Sequence, residues 1–185
     1  GFIHGDNVQR IVNDTSILIM IAIGQFFVIL TGGIDLSVAS IIAFSGMAAS
    51  MLNQYYPSIP VTIILLIGIT IGVLLGFFNG LLVAIGKVPP IIATLGTMSI
   101  YRGFTFVLSK GQWVTAHEMS ESYMNLPKGN FLGLSNLIWF AIGVSIVMFY
   151  FSRYTRSGRE IYAIGGNKTA ARFVGVSEIK INLII

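Results

Sequence analysis

The chain of 185 residues has no cysteine, which removes disulfides, thiolate metal sites, iron–sulfur clusters and cysteine nucleophiles together. It has two histidines, His4 and His117, each without a second ligand at useful spacing, so metal binding is not expected. Charge is scarce. Charged residues make up 10% of the chain and hydrophobic ones 55%, whereas soluble chains carry about 25% charged residues. A soluble domain of this composition would lack the polar surface to stay dissolved, and the mean hydropathy of +0.84 makes lipid the expected solvent. A phosphate loop is missing too. Gly165-Gly166-Asn167-Lys168-Thr169 puts Asn167 where glycine and lysine must be adjacent, and the earlier glycine is absent. Ser45, Ser50 and the other serines of the apolar stretches have no partner base in a recognisable motif, so intramembrane hydrolysis has no support. No catalytic residue and no cofactor is expected.

What is present in quantity is uncharged sequence. Thr15 to Ile34 gives 20 consecutive uncharged residues, Leu36 to Gly86 gives 51, and Gly129 to Ser152 gives 24. Each exceeds the roughly 18 residues that mark a membrane-spanning helix. The longest run must be divided, and Asn53 to Pro60, with two tyrosines and two prolines, reads as a turn at headgroup level. Pro89-Pro90 suit the first turn of a further helix through Leu108, because missing amide hydrogens cost nothing there. The expected fold is therefore all-α, a polytopic bundle with spans at 15–31, 36–52, 61–86, 89–109 and 131–152.

The net charge of +4 is confined to one place. Residues 153 to 180 hold six basic and two acidic side chains, while the rest of the chain is balanced at five of each. That confinement argues against a nucleic-acid surface. Cytoplasmic loops retain lysine and arginine, so residues 153–180 are expected inside. Alternation then puts the 109–130 loop outside, Lys87 inside, Asn53 to Pro60 outside and the Gly32-Gly33 turn inside. The opening Gly-Phe-Ile and the apolar run from Ile181 are expected to be interior to a longer membrane protein.

Gly68, Gly72, Gly76 and Gly80 recur at steps of four, a stripe over about 18 Å of one helix along which another backbone can pack. Asn79 lies beside it, suited to a hydrogen bond between helices or to a substrate path. Gln25, near the middle of its run, carries the same two readings. Asp35 follows the Gly32-Gly33 break, where it caps a helix or, as a carboxylate in lipid, couples transport to an ion. Arg102 is placed to snorkel toward headgroups.

The segment after Arg153 is too polar to enter lipid. Asn167 is expected to cap a short helix through Lys168, Ala170, Ala171 and Arg172 that ends at Gly175, lying on anionic lipid or docking a cytoplasmic protein. Three stretches together carry a resemblance: Thr31-Gly-Gly-Ile-Asp-Leu-Ser-Val; Asn79-Gly-Leu-Leu-Val-Ala with Pro90-Ile-Ile-Ala-Thr-Leu-Gly-Thr and Tyr101-Arg-Gly; and Gly158-Arg-Glu-Ile-Tyr-Ala-Ile-Gly-Gly-Asn with Ala170-Ala-Arg and Gly175-Val. In order and spacing the chain resembles the permease subunits of bacterial ABC importers for monosaccharides and autoinducer-2. The resemblance covers essentially the whole chain and implies a fragment of a roughly ten-span permease of the inner membrane. It also implies a second permease copy or paralogue, cytoplasmic ATPase subunits that carry out ATP hydrolysis, and a periplasmic sugar-binding protein. By the same similarity Arg159, Asn167, Ala170, Ala171, Arg172 and Gly175 belong to an ATPase-coupling segment. Two rival readings stand beside it: an ion-coupled secondary transporter built on the Gly32-Gly33 break, and a non-transporting membrane scaffold built on the glycine stripe.

Overall fold

A computed structural model describes residues 5–185, with side chains from Asn7 onward, so His4 lies outside the described residues. The chain is helical almost throughout. Its elements are α1 (Gly5–Leu30), α2 (Val38–Tyr55), α3 (Val61–Ala84), α4 (Pro90–Ser109), a 3-10 turn (Ala116–Glu118), α5 (Glu121–Lys128), the strands β1 (Asn130–Phe131) and β2 (Leu134–Ser135), α6 (Asn136–Tyr154), α7 (Arg156–Gly166), α8 (Lys168–Phe173) and α9 (Glu178–Ile184). Among the described residues four helices are long and apolar enough to cross a membrane: Asn7–Leu30, Val61–Ala84, Pro90–Ser109 and Asn136–Tyr154. The expected span at 36–52 is helical as α2 but is not among those four. Ser40, Ser45, Ser50, Asn53 and Gln54 dilute its hydropathy.

Local chemistry sets the helix starts. Ser135, Thr155, Asn167 and Ser177 each accept an amide hydrogen from three residues on, capping α6, α7, α8 and α9. Pro90 opens α4 at a position where no amide hydrogen is needed.

The chain divides into two compact units, one of residues 1–32 and 125–176, the other of residues 33–124 and 177–185. In the first, α1 packs on α6, with Phe27 edge-on to Phe151 at 5.9 Å. Ser135 Oγ donates to Asn13 Oδ1 at 2.5 Å, tying the start of α6 to α1. A two-residue hairpin, Asn130 opposite Ser135 and Phe131 opposite Leu134, precedes α6. In the second unit α2 packs against both α3 and α4, and α9 lies along α3. Ile64, Tyr101 and Ile181 are its most deeply buried large side chains.

Only 6% of the apolar window of α3 is buried within the chain. Ile69, Val73 and Leu74 are each exposed by 60% or more, a surface that water would penalise and lipid or another helix would accept.

Candidate functional site

In the first unit the basic segment is a helical corner. A single residue separates α6 from α7, because Thr155 closes α6 and accepts from Gly158 N at 3.0 Å. Gly158 fits there because a side chain would strike the carbonyls of Phe151 and Ser152. One face of α7 buries Ile161 and Ile164 while Arg156 and Arg159 stay outside. Arg156 Nε pairs with Glu160 Oε1 at 2.7 Å, and Arg159 donates to the Tyr154 carbonyl at 3.1 Å.

The other end of α7 sits on the end of α1. Gly165 lies against the Leu30 carbonyl so closely that a methyl group would collide, and Tyr162 approaches Phe26 at 6.4 Å. Lys168 Nζ lies 3.8 Å from where a Gly32 side chain would begin, placing a cation near the negative end of the α1 dipole. Asn167 Oδ1 accepts from Ala170 N at 2.9 Å, and Gly175 ends the segment with a φ of +84°.

The sequence-derived residues Arg159, Asn167, Ala170, Ala171, Arg172 and Gly175 therefore fall on one surface feature, but they differ in what they show. Ala171 is buried, whereas the others are exposed. Phe173 and Val174, which sequence reasoning passed over, are 87% and 79% exposed, so the corner presents an apolar tip beside a basic flank. Nothing in a hydropathy profile distinguishes that tip from a core residue.

In the second unit the Gly32-Gly33 break leads into a buried polar cluster. Asp35 is not the N-cap of α2, a correction to the capping expectation, because Ser37 occupies that position. Instead Asp35 Oδ1 accepts from Ser37 N at 2.7 Å and from Ser37 Oγ at 2.6 Å. Ser37 Oγ in turn accepts from Asn79 Nδ2 at 2.7 Å. The Tyr101 hydroxyl lies 3.2 Å from Asn79 Oδ1 and 3.0 Å from the Leu75 carbonyl, and its single proton serves either acceptor. Thr94 Oγ1 adds a link to the Ile34 carbonyl at 3.3 Å. Break, α3 and α4 are thereby joined by side chains. Among the described residues no buried side-chain nitrogen or oxygen lacks a partner. Asn79 thus bonds between helices. Gln25 is half-buried on α1 in the first unit and is also engaged within the chain.

Along the glycine stripe, Gly68 faces the Ala49 methyl at 3.6 Å and Gly72 faces Ile41 at 3.9 Å. At Gly80 an added methyl would lie 3.0 Å from the Asn182 carbonyl, so α9 approaches α3 backbone to backbone. Gly76 has nothing within 4 Å.

Residues 7–185 match the protein family described as branched-chain amino acid transport system permease components. The ribose import permease protein RbsC of Haemophilus influenzae is 38% identical over 187 residues, covering all of this chain and 57% of that protein. The L-arabinose ABC transporter permease protein AraH of Azospirillum brasilense is 36% identical over 188 residues, covering all of this chain and 53% of its own length. The autoinducer 2 import system permease protein LsrC of Salmonella paratyphi B is 37% identical over 179 residues, covering 95% of this chain and 49% of that protein. The chain thus spans about half the length of these relatives. No solved structure matches it.

Proposed function

The chain belongs to the family of transport-system permease components matched over residues 7–185, and from that premise we propose that it is the translocating part of an ATP-driven importer for a sugar or sugar-like solute. The observation that carries the reading is the similarity of the whole chain, from end to end, to permeases named for ribose and L-arabinose import. The family description names amino acids, but the relatives that match this chain from end to end are named for sugars, and we follow them. The protein sits in the bacterial inner membrane with residues 153–180 in the cytoplasm, since that segment carries the whole basic excess. A second permease copy or paralogue, cytoplasmic ATPase subunits and a periplasmic sugar-binding protein complete the importer.

The α7–α8 corner is the ATPase handle. Its basic flank and the apolar tip at Phe173-Val174 suit a groove on a soluble partner, and its seat on the ends of α1 and α6 gives a displaced corner two spans to move as rigid bodies. Arg159, Asn167, Ala170, Arg172 and Gly175 shape the exposed face, while Ala171 holds α8 to the corner. The ion-coupled alternative rested on Asp35. One oxygen of that carboxylate already accepts two hydrogen bonds from Ser37, which favours a structural role.

Uptake of D-ribose or L-arabinose by the full-length permease, reconstituted with its ATPase and binding protein, tests the proposal. Uptake should require ATP and survive collapse of the proton and sodium gradients. Uptake that persists without ATP and vanishes with a gradient would overturn it.

A further inference from the structure

The loop after α4 is built, not slack. Lys110 ends α4 in the left-handed region (φ 53°), and Gly111 follows with φ +73°, its α-carbon packed so tightly on the Phe106 ring that an added methyl would lie 3.1 Å from it. Glycine is favoured at that turn, where any other residue would be strained and would press on Phe106. Downstream, Thr115 and Glu118 form a reciprocal capping box, and Gln54 Nε2 at the end of α2 donates to Glu118 Oε1 at 3.0 Å. Asn53 and Ser120 exchange two further bonds, Asn53 Nδ2 to Ser120 Oγ at 2.9 Å and Ser120 N to Asn53 Oδ1 at 2.8 Å. Pinned at both ends, the loop holds Gln112 and Trp113 at the rim of a groove between α2 and α4. The groove has a volume of about 550 Å³, within the range of about 300–1,000 Å³ common for small-molecule sites.

Its lining combines two chemistries. Met47 and Phe106 give an apolar floor, and the Trp113 indole, 84% exposed, adds an aromatic wall. Around them stand Arg102, Gln112 and Ser50, and among the described residues no hydrogen bond or ion pair engages the side chains of Arg102, Gln112, Ser50 or Trp113. A guanidinium, an amide, a hydroxyl and an indole N–H offer donors and acceptors together at the edge of an apolar floor. A lipid phosphate would use Arg102 and leave the amide, the hydroxyl and the indole plane without a role. A molecule with hydroxyls on its rim and C–H groups on its face uses all of them.

We infer that the groove between the loop-side ends of α2 and α4, walled by Trp113 and Gln112 over Arg102, is a binding site for a free pentose or hexose, the first seat of the solute on the permease. The inference rests on the sugar-importer reading above, and the orientation proposed there opens the groove to the periplasmic side.

The test uses the full-length permease with Ser109→Cys, a lining position given no role in binding, as its one cysteine, in phosphatidylcholine nanodiscs, reacted with a hydrophilic maleimide. D-ribose or L-arabinose at ten times a Kd on the order of 1 mM should slow labelling about tenfold, with glycine betaine at equal osmolarity as the control. Adding Trp113→Ala, a change at an exposed side chain, should abolish that protection. ATP-driven uptake of the same sugars is measured separately on the protein without these substitutions. Uptake without protection overturns the groove and leaves the importer reading standing. Protection without ATP-driven uptake does the reverse, and absence of both overturns both. Labelling blocked before any sugar is added shows the groove filled by the rest of the protein, and slowing that appears only with anionic lipid makes it a headgroup seat. Either result overturns the inference.

Discussion

The corner at α7–α8 and the cluster around Asp35 handle polarity in opposite ways. The cluster buries Ser37 and Asn79 and closes a chain of hydrogen bonds from Asp35 to Tyr101. The corner leaves Phe173 and Val174 in the open although buried alanine and isoleucine lie within a few residues. In the first region costly groups are hidden because each has a partner inside the chain. In the second, apolar groups are displayed beside buried ones, and the proposed ATPase contact would give them cover.

The sharpest way to break this contrast uses two neighbouring alanines. Ala171 is 3% exposed and Ala170 is open. Ala171→Asp should lower the stability of the corner on the order of 3 kcal/mol or more, by burying an unpaired charge. Ala170→Asp should leave stability within about 0.5 kcal/mol. Thermal unfolding of the full-length protein in detergent distinguishes them, and equal losses would mean that α8 does not sit as described. Ala170→Asp should nonetheless prevent the ATPase subunit from co-purifying.

Next in size is the cluster itself. Asn79→Leu leaves the Ser37 hydroxyl without its donor and takes an acceptor from Tyr101, for a loss of about 2 kcal/mol. Chemical denaturation in mixed micelles measures it. A loss this large with ATPase binding intact would sharpen the contrast, because it separates a group that holds the fold from a group that meets a partner.

Phe173→Ala is the mirror experiment. The side chain touches little within the chain, so unfolding should hardly move. Affinity for the ATPase subunit should fall about tenfold, or ~1.4 kcal/mol, by titration of the purified subunits. Unchanged affinity would remove the apolar tip from the proposed interface.

The two regions also differ in how far the sequence disclosed them. The cap of α8 at Asn167 and its end at Gly175 were readable because a cap acts over three residues and a terminating glycine over one or two. The cluster was not, since Ser37 and Asn79 lie 42 residues apart and Asn79 and Tyr101 lie 22 apart, and no local rule says which polar groups of different helices meet. Hydropathy placed the start of α3 at Val61 and that of α4 within one residue, but misjudged those of α1 and α6. α1 runs from Gly5, ten residues before the expected span, because a helix continues through Asn7 to Asp14 with polar side chains that hydropathy reads as loop. In the 109–130 loop, α5 is not legible because it is short and carries Pro127.

Glu118 is the case most able to blur the contrast, since its charge is fully exposed and yet committed inside the chain. The Thr115 backbone N–H donates to Glu118 Oε2 at 2.7 Å and the Thr115 hydroxyl does so at 2.7 Å. These bonds, the backbone one first, hold its carboxyl below the usual range, with smaller help from His117 and Gln54. A depressed carboxylate contributes order that is complete above the pKa of the unfolded group, about 4.3, and is lost as pH falls through the lower value of the folded state. Hydrogen exchange of the amides from Thr115 to Glu118 should therefore be constant, once corrected for intrinsic rates, from neutral pH down to about 5. Protection should then fall in more acidic solution. Glu118→Gln should flatten that acid limb while leaving the Asn53–Ser120 bonds in place. The effect is the smallest of the four because water screens an exposed carboxylate. An acid limb that survives in the Gln variant would assign the loop's order to Asn53 and Ser120 alone, and exposed charge would again mean only a surface awaiting a partner.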